Sequence, residues 1–260
     1  MTPFILLVMV RSLICTALLL FTLPGKVSAW VYPEHRLITA LAIQQLSPDK
    51  RKILENVWTQ IRTGHEDRLS ASLINPQYGL DTEVLDLASW PAIAGDHSCS
   101  PQQMMDIILM SDWILKVDRI AERLRIDLAQ ADRQDRTLNA IRNSDIRLQR
   151  ADLDYATRAG ANNVHFLLER NAVTETVEEY FKRCLQEGAP LNALVAYAYF
   201  HTRALEKVEQ SKGPNLTQEQ KSAFLLAALA NEAFALHFIE DAYAARSCGR
   251  YLGFYGRIEG

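Results

Sequence analysis

The sequence predicts an all-α protein, a multi-helix bundle. Three observations carry that prediction. Apolar residues recur with a period near 3.6 in nearly every segment. No run alternates apolar and polar residues as a strand would, and no Asn-Gly or Asp-Gly dipeptide marks a hairpin. Helix-opening signatures stand in front of apolar runs: Ser47-Pro48, Ser100-Pro101-Gln102-Gln103, and Thr217 followed three residues later by Gln220.

The first 29 residues read as a removable export leader. Arg11 supplies a basic start, the apolar run 12–23 is too short to span a bilayer, Pro24-Gly25 breaks it, and Val27-Ser28-Ala29 is a small-residue cleavage box. Cleavage there makes Trp30 the first residue of a secreted or periplasmic protein. The remainder, 30–260, is one domain's worth of chain, ample for a large core. No later apolar run is long and uncharged enough to be expected to span a membrane.

Removing Arg11 and Lys26 takes the formal net charge from −3 to −5. No run of lysine or arginine suggests a dedicated duplex-binding surface. Cys99, Cys184 and Cys248 remain after cleavage, an odd number with no CxxC pair, which argues against a thiolate zinc site and leaves Cys99–Cys184 as a possible disulfide.

Taken in order, a helix is expected over 36–45 with His35 at its entry. A free α-amino group and its own carbonyl oxygen can chelate a metal, and His35 could add a nitrogen from the side. The structural alternative makes Trp30 an aromatic plug and His35 a capping residue. The next helix, 49–63, carries Ile53, Leu54, Val57, Trp58 and Ile61 at helical spacing, and Gly64-His65 ends it, with His65 as a partner for the helix dipole. The stretch 69–90 suggests a loop and a short helix.

Loop 90–100 then places Asp96 and His97 beside a glycine that permits a tight turn. Both are candidate ligands, and a plain turn role for Asp96 is equally open. Two long helical stretches, 104–123 and 124–153, follow. The second is rich in Arg, Asp and Gln with a thin apolar stripe, and reads as a solvated helix or arm. His165 sits within the apolar run Val164-His165-Phe166-Leu167, where a core histidine is the alternative to a ligand. Helices are expected over 174–187 and 189–210, with His201 structural, and over 221–245. That last helix carries His237 and Asp241 four residues apart, on one face, one turn apart. An imidazole and a carboxylate so placed can hold one divalent metal; a buried histidine paired with a helical aspartate is the plainer reading.

The mature start W-x4-H, the late H-x3-D on an apolar helix, and a second histidine followed by phenylalanine and leucines resemble the superfamily of zinc-dependent phospholipases C and single-strand-specific nucleases. The resemblance covers most of 30–245. It implies an all-helical domain with a zinc cluster between helices, bound partly by the amino and carbonyl groups of a leading tryptophan. Carried across, Trp30 and His35 would bind one zinc and Asp241 would bridge it to a second, which would also take His237, His165 and an aspartate. Asp96, after Ser89-Trp90-Pro91, is the chosen aspartate; Asp81, Asp86 and Asp152 are alternatives, and His97 a possible substitute or supporting partner. A helical insertion over 104–150 would account for the long spacing from Asp96 to His165.

The implied activity is hydrolysis of a phosphodiester, with Asp241 and Asp96 as the carboxylates nearest the chemistry. The substrate would be a phospholipid head group, with single-stranded nucleic acid as the alternative. Peripheral membrane contact is possible and no protein partner is implied. The chain departs from the family after Asp241. Where the family has a histidine, usually within Gly-His, this chain has Ser247, and no further histidine follows before Gly260. The expectation is a truncation or a reading-frame shift after Ala245, since the tail 246–253 can be encoded so that the next frame reads Gly-His. A remnant with an incomplete cluster and no catalysis is the competing reading.

Overall fold

The computed structural model describes residues 30–76, 84–161, 163–172 and 174–244. The expected leader, Asp81, Cys248 and the chain from 245 onward, with its frame-shift expectation, lie outside the described residues. The regular structure is helical: α1 Tyr32–Gln45, α2 Pro48–Arg62, α3 Trp90–Ile93, α4 Pro101–Met110, α5 Asp112–Ala129, α6 Gln134–Ala151, α7 Tyr155–Ala161, α8 Val177–Leu185, α9 Ala193–Gln210 and α10 Gln218–Ala242. Two 3-10 turns, Leu87–Ser89 and Asn163–His165, complete it. Among the described residues there is no strand, only an isolated parallel bridge between Leu69 and Leu85.

The helix starts follow the capping chemistry. Ser100 accepts the backbone N–H of Gln103 at 3.2 Å, and Thr217 and Thr176 form full capping boxes with Gln220 and Glu179. Asn192 accepts from the N–H groups of Leu194 and Val195 at 3.1 and 3.2 Å. α1 begins four residues before the expected boundary because Glu34 reaches back to the N–H of Val31 at 2.9 Å, so His35 lies inside the first turn.

The expected division of the stretch 104–153 moved as well. The long stretches expected over 104–153 fold as α4, α5 and α6, with breaks at Ser111 and after Ala129. The first break has a tertiary cause. Arg68, itself nearly buried, donates to the carbonyls of Ile108 and Ser111 and pairs with Asp112, which fixes the corner between α4 and α5. α6 meets its expectation as a solvated arm: it buries only Ser144 and Leu148 and packs mainly against α5.

α10 is the centre of the bundle. It packs along α9 and also touches α1, α2, α3, α4 and the Asn163–His165 turn. Contrary to the sequence expectation, it is long and apolar enough by length and composition to cross a membrane. Its buried Ala233, Phe234, Phe238 and Ala242 pack within the core instead, alongside buried His237, Glu240 and Asp241. Trp58 and Trp90 meet edge to face at 5.7 Å and seat the Leu87–Ile93 segment deep beside α1 and α10. The possible Cys99–Cys184 disulfide is absent: both are free thiols, Cys184 buried on α8 and Cys99 exposed on a loop.

Candidate metal centre

Four elements bring polar side chains to one buried point. α10 supplies His237 and Asp241 from the same face, with His237 Nε2 3.7 Å from Asp241 Oδ2. α1 supplies His35, the Asn163–His165 turn supplies His165, and the loop after α3 supplies Asp96. His35, His237 and Asp241 have no accessible surface and His165 has almost none. The His35 and His237 rings stack at 4.6 Å, and His165 meets His237 edge-on at 4.7 Å.

Each imidazole has its Nδ1 engaged. His35 Nδ1 donates to Glu240 Oε2 at 2.6 Å, His237 Nδ1 to the Pro91 carbonyl at 2.8 Å, and His165 Nδ1 to Asp241. The Nε2 atoms of all three are buried with no hydrogen-bond partner. His35 Nε2 lies 3.3 Å from Asp241 Oδ1 but out of line for a hydrogen bond. A proton fixed on Nδ1 leaves the Nε2 lone pair free, which is the state in which histidine ligates metals. Buried polar atoms are rarely left orphaned, because each costs free energy. The orphaned Nε2 atoms of His35 and His237, 3.3 and 3.7 Å from the Asp241 carboxylate, therefore fit a metal ion.

Spacing agrees. One ligand atom each from His35, Asp96 and His237 lie within 4.8 Å of one another, and so do those from His165, His237 and Asp241. Donors sharing a tetrahedral ion with bonds of about 2.1 Å sit roughly 3–4 Å apart. These two groups share His237 and could hold a metal ion. The backbone leaves room for them. Gly95 adopts φ +72°, and a Cβ there would fall 2.3 Å from His237 Nε2, so only glycine can pass so close.

Electrostatics follow the geometry. For the metal-free site, burial opposes charge on His35, but the carboxylates of Asp241 and Glu240 outweigh it and push its pKa up to about 10, so a metal ion would have to displace its Nε2 proton. Burial and the adjacent His35 hold His237 well below its ordinary value, neutral and ready to donate its lone pair. Burial would raise Asp241, yet contacts from His165 and His35 keep its carboxyl far below the usual range. Burial pushes the Asp96 carboxyl above its ordinary value.

Trp30 joins the cluster at its edge. Its backbone nitrogen donates to Asp241 Oδ1 at 3.0 Å, and its indole N–H donates to the Glu240 carbonyl at 2.9 Å. Thus Trp30, His35, Asp96, His165, His237 and Asp241 lie together. The alternatives are used elsewhere. His97 donates Nδ1 to Asp152 at 2.9 Å and stacks on Tyr155 at 5.1 Å, and Asp152 also takes Arg158. Asp86 caps the Leu87–Ser89 turn and pairs with Arg36.

Sequence reasoning missed Glu240. It orients His35, also accepts from the Thr39 hydroxyl at 2.9 Å, and is buried. Its adjacency to Asp241, on a helix otherwise apolar there, was the available signal. Also missed was a cavity of about 590 Å³ whose walls include Gly95, Val164 and Phe238, the chain neighbours of Asp96, His165 and His237, together with Tyr199, Phe200 and Phe234. No family model, curated protein or solved structure matches the chain.

Proposed function

We propose that this protein is an exported zinc-dependent phosphodiester hydrolase, most like a phospholipase C in its substrate. The observation that carries the reading is the approach of the partnerless Nε2 atoms of His35 and His237 to within 3.3 and 3.7 Å of the Asp241 carboxylate, with His165 set against the same carboxylate through Nδ1, in a buried interior. All donors are nitrogen or oxygen, a set that suits zinc in a hydrolytic site. His35, His237, His165, Asp96 and Asp241 would hold the metal, and a Trp30 amine freed by leader cleavage would add its nitrogen next to Asp241 Oδ1. Zinc there supplies a water of lowered pKa, neutralises phosphoryl oxygens and steadies the leaving oxygen.

The chain's own residues do the rest. Glu240 and the Pro91 carbonyl hold His35 and His237 in the tautomer that presents Nε2 inward. Asp96 is half-buried beside His35 and His237, and its carboxylate oxygen not given to the metal would orient the attacking water and take its proton. Arg158 donates to the Asp96 carbonyl at 3.2 Å, which steadies the loop that carries the carboxylate.

The adjoining cavity favours a lipid. Its walls are mostly aliphatic and aromatic, and its one arginine, Arg158, is already held by Asp152. An apolar cavity beside a phosphate-directed centre fits the glycerol and upper acyl carbons of a phospholipid. The second reading, a single-strand nuclease, draws on the aromatic rings of Tyr199 and Phe200 as a stacking surface. Parallel assays on phosphatidylcholine and on single-stranded DNA, with zinc counted, decide between them. The reading expects release of a phosphorylated head group that stops on zinc removal and returns on its addition. Cleavage of DNA alone selects the nuclease, and no hydrolysis by zinc-loaded protein overturns both.

A further inference from the structure

The chain has no basic run, yet the fold assembles one. Lys116, Arg119 and Arg123 lie on one face of α5 at i, i+3 and i+7. Arg147 and Arg150 face them from α6, and the five line a cleft of about 450 Å³ whose floor includes Ile120. Arg123 is balanced by Asp127 at 3.0 Å. Lys116, Arg119, Arg147 and Arg150 pair with no acid among the described residues, and all four are exposed. The nearby Glu122 is already taken by Arg125 at 2.6 Å. Four uncompensated cations on a chain of net negative charge form a local positive surface that needs an anionic partner.

Close to Arg147 and Arg150 in the chain are two exposed aliphatic side chains. Ile146, one turn before Arg150 on α6, is 50% exposed, and Leu153, just past the helix end, is 87% exposed. We propose that the α5–α6 hairpin docks this protein on anionic phospholipid bilayers, with Lys116, Arg119, Arg147 and Arg150 on head-group phosphates and Ile146 and Leu153 at the acyl boundary.

Three features point to a bilayer over other polyanions. The cations on α5 extend about 10 Å along the helix, a span that meets several phosphates at once. No aromatic ring lines the cleft, so it offers no platform for stacking bases. Cations mixed with exposed aliphatics are the composition that settles at the head-group boundary. This goes beyond the hydrolase reading and does not depend on it, because none of these residues belongs to the metal donor set.

The test uses protein recovered after export of the full chain, with vesicles of phosphatidylcholine alone or with about a third phosphatidylglycerol. Co-sedimentation is expected with the anionic vesicles only, weakening as salt rises. Each basic residue at such a surface contributes about fivefold, so the double variant Arg147→Glu, Arg150→Glu should bind at least about 25-fold more weakly. Leu153→Ser should weaken binding without changing its salt dependence. Melting curves report whether the variants fold, and Lys116→Gln with Arg119→Gln tests the opposite wall should the first pair unfold. Equal binding to neutral vesicles, no vesicle binding, or binding indifferent to both pairs overturns the proposal. So does binding to a single-stranded oligonucleotide that the variants abolish while vesicle binding persists. His237→Ala should retain vesicle binding, which separates this result from the fate of the hydrolase reading.

Discussion

Asp241 is the residue that the other groups of the site face. It accepts from the Trp30 backbone nitrogen and from His165, and lies near both His35 and His237. Glu240 acts one step removed, by fixing His35. Replacing it with Gln keeps the volume but weakens the acceptor for His35 Nδ1, and should lower zinc affinity about 10- to 100-fold while leaving the fold intact. Equilibrium dialysis measures this; unchanged affinity would remove Glu240 from the metal's support.

The charges also set how stability responds to pH once metal is stripped. His35 has its pKa raised from 6.5 to about 10, so its stabilising contribution is full below 6.5 and is lost as pH rises through about 10. Asp241 is shifted the opposite way from 3.8, so its contribution is present above that value and is lost only as pH falls through its much lower folded value. Chelator-treated protein should therefore melt at lower temperature as pH climbs from about 8 to about 10.5. Calorimetry showing a rise over that interval would contradict the assignment of His35 as a cation held by Asp241 and Glu240.

At the scale of elements, the helix starts carry measurable energy. Thr217→Ala removes the cap of α10 and should cost about 1 kcal/mol, a fall of about 2–4 °C in melting temperature for a chain of this size. Thermal denaturation reads this directly, and no change would mean that packing of α10 alone sets its boundary. The capped starts at Ser100 and Thr217 were legible because the cap is local chemistry. The break at Ser111 was not, because Arg68 enforces it from more than 40 residues away. His237 and Asp241 could be paired from sequence since helical spacing alone joins them. The fixing of His237 by Pro91 and its close approach by Gly95 required the fold, since both come from a segment more than 140 residues distant.

For the whole molecule, the bundle works as a scaffold that carries groups from both ends of the described chain into one buried interior. α10 supplies the fixed side of the site and α1 docks against it, so ordering of Trp30 and His35 depends on assembly of the bundle as a unit. The same assembly builds an apolar cavity walled by chain neighbours of the donors, and it gathers scattered cations between α5 and α6. Neither surface exists in any one segment, which is why composition and spacing gave no sign of them. The most direct measurement is elemental analysis of the exported protein after N-terminal sequencing, alongside a variant with one alanine inserted before Trp30. The account expects a chain that begins at Trp30 and holds at least one zinc, with binding at least tenfold weaker in the extended variant. A folded chain that begins at Trp30, carries no zinc and takes up none when it is supplied would contradict it.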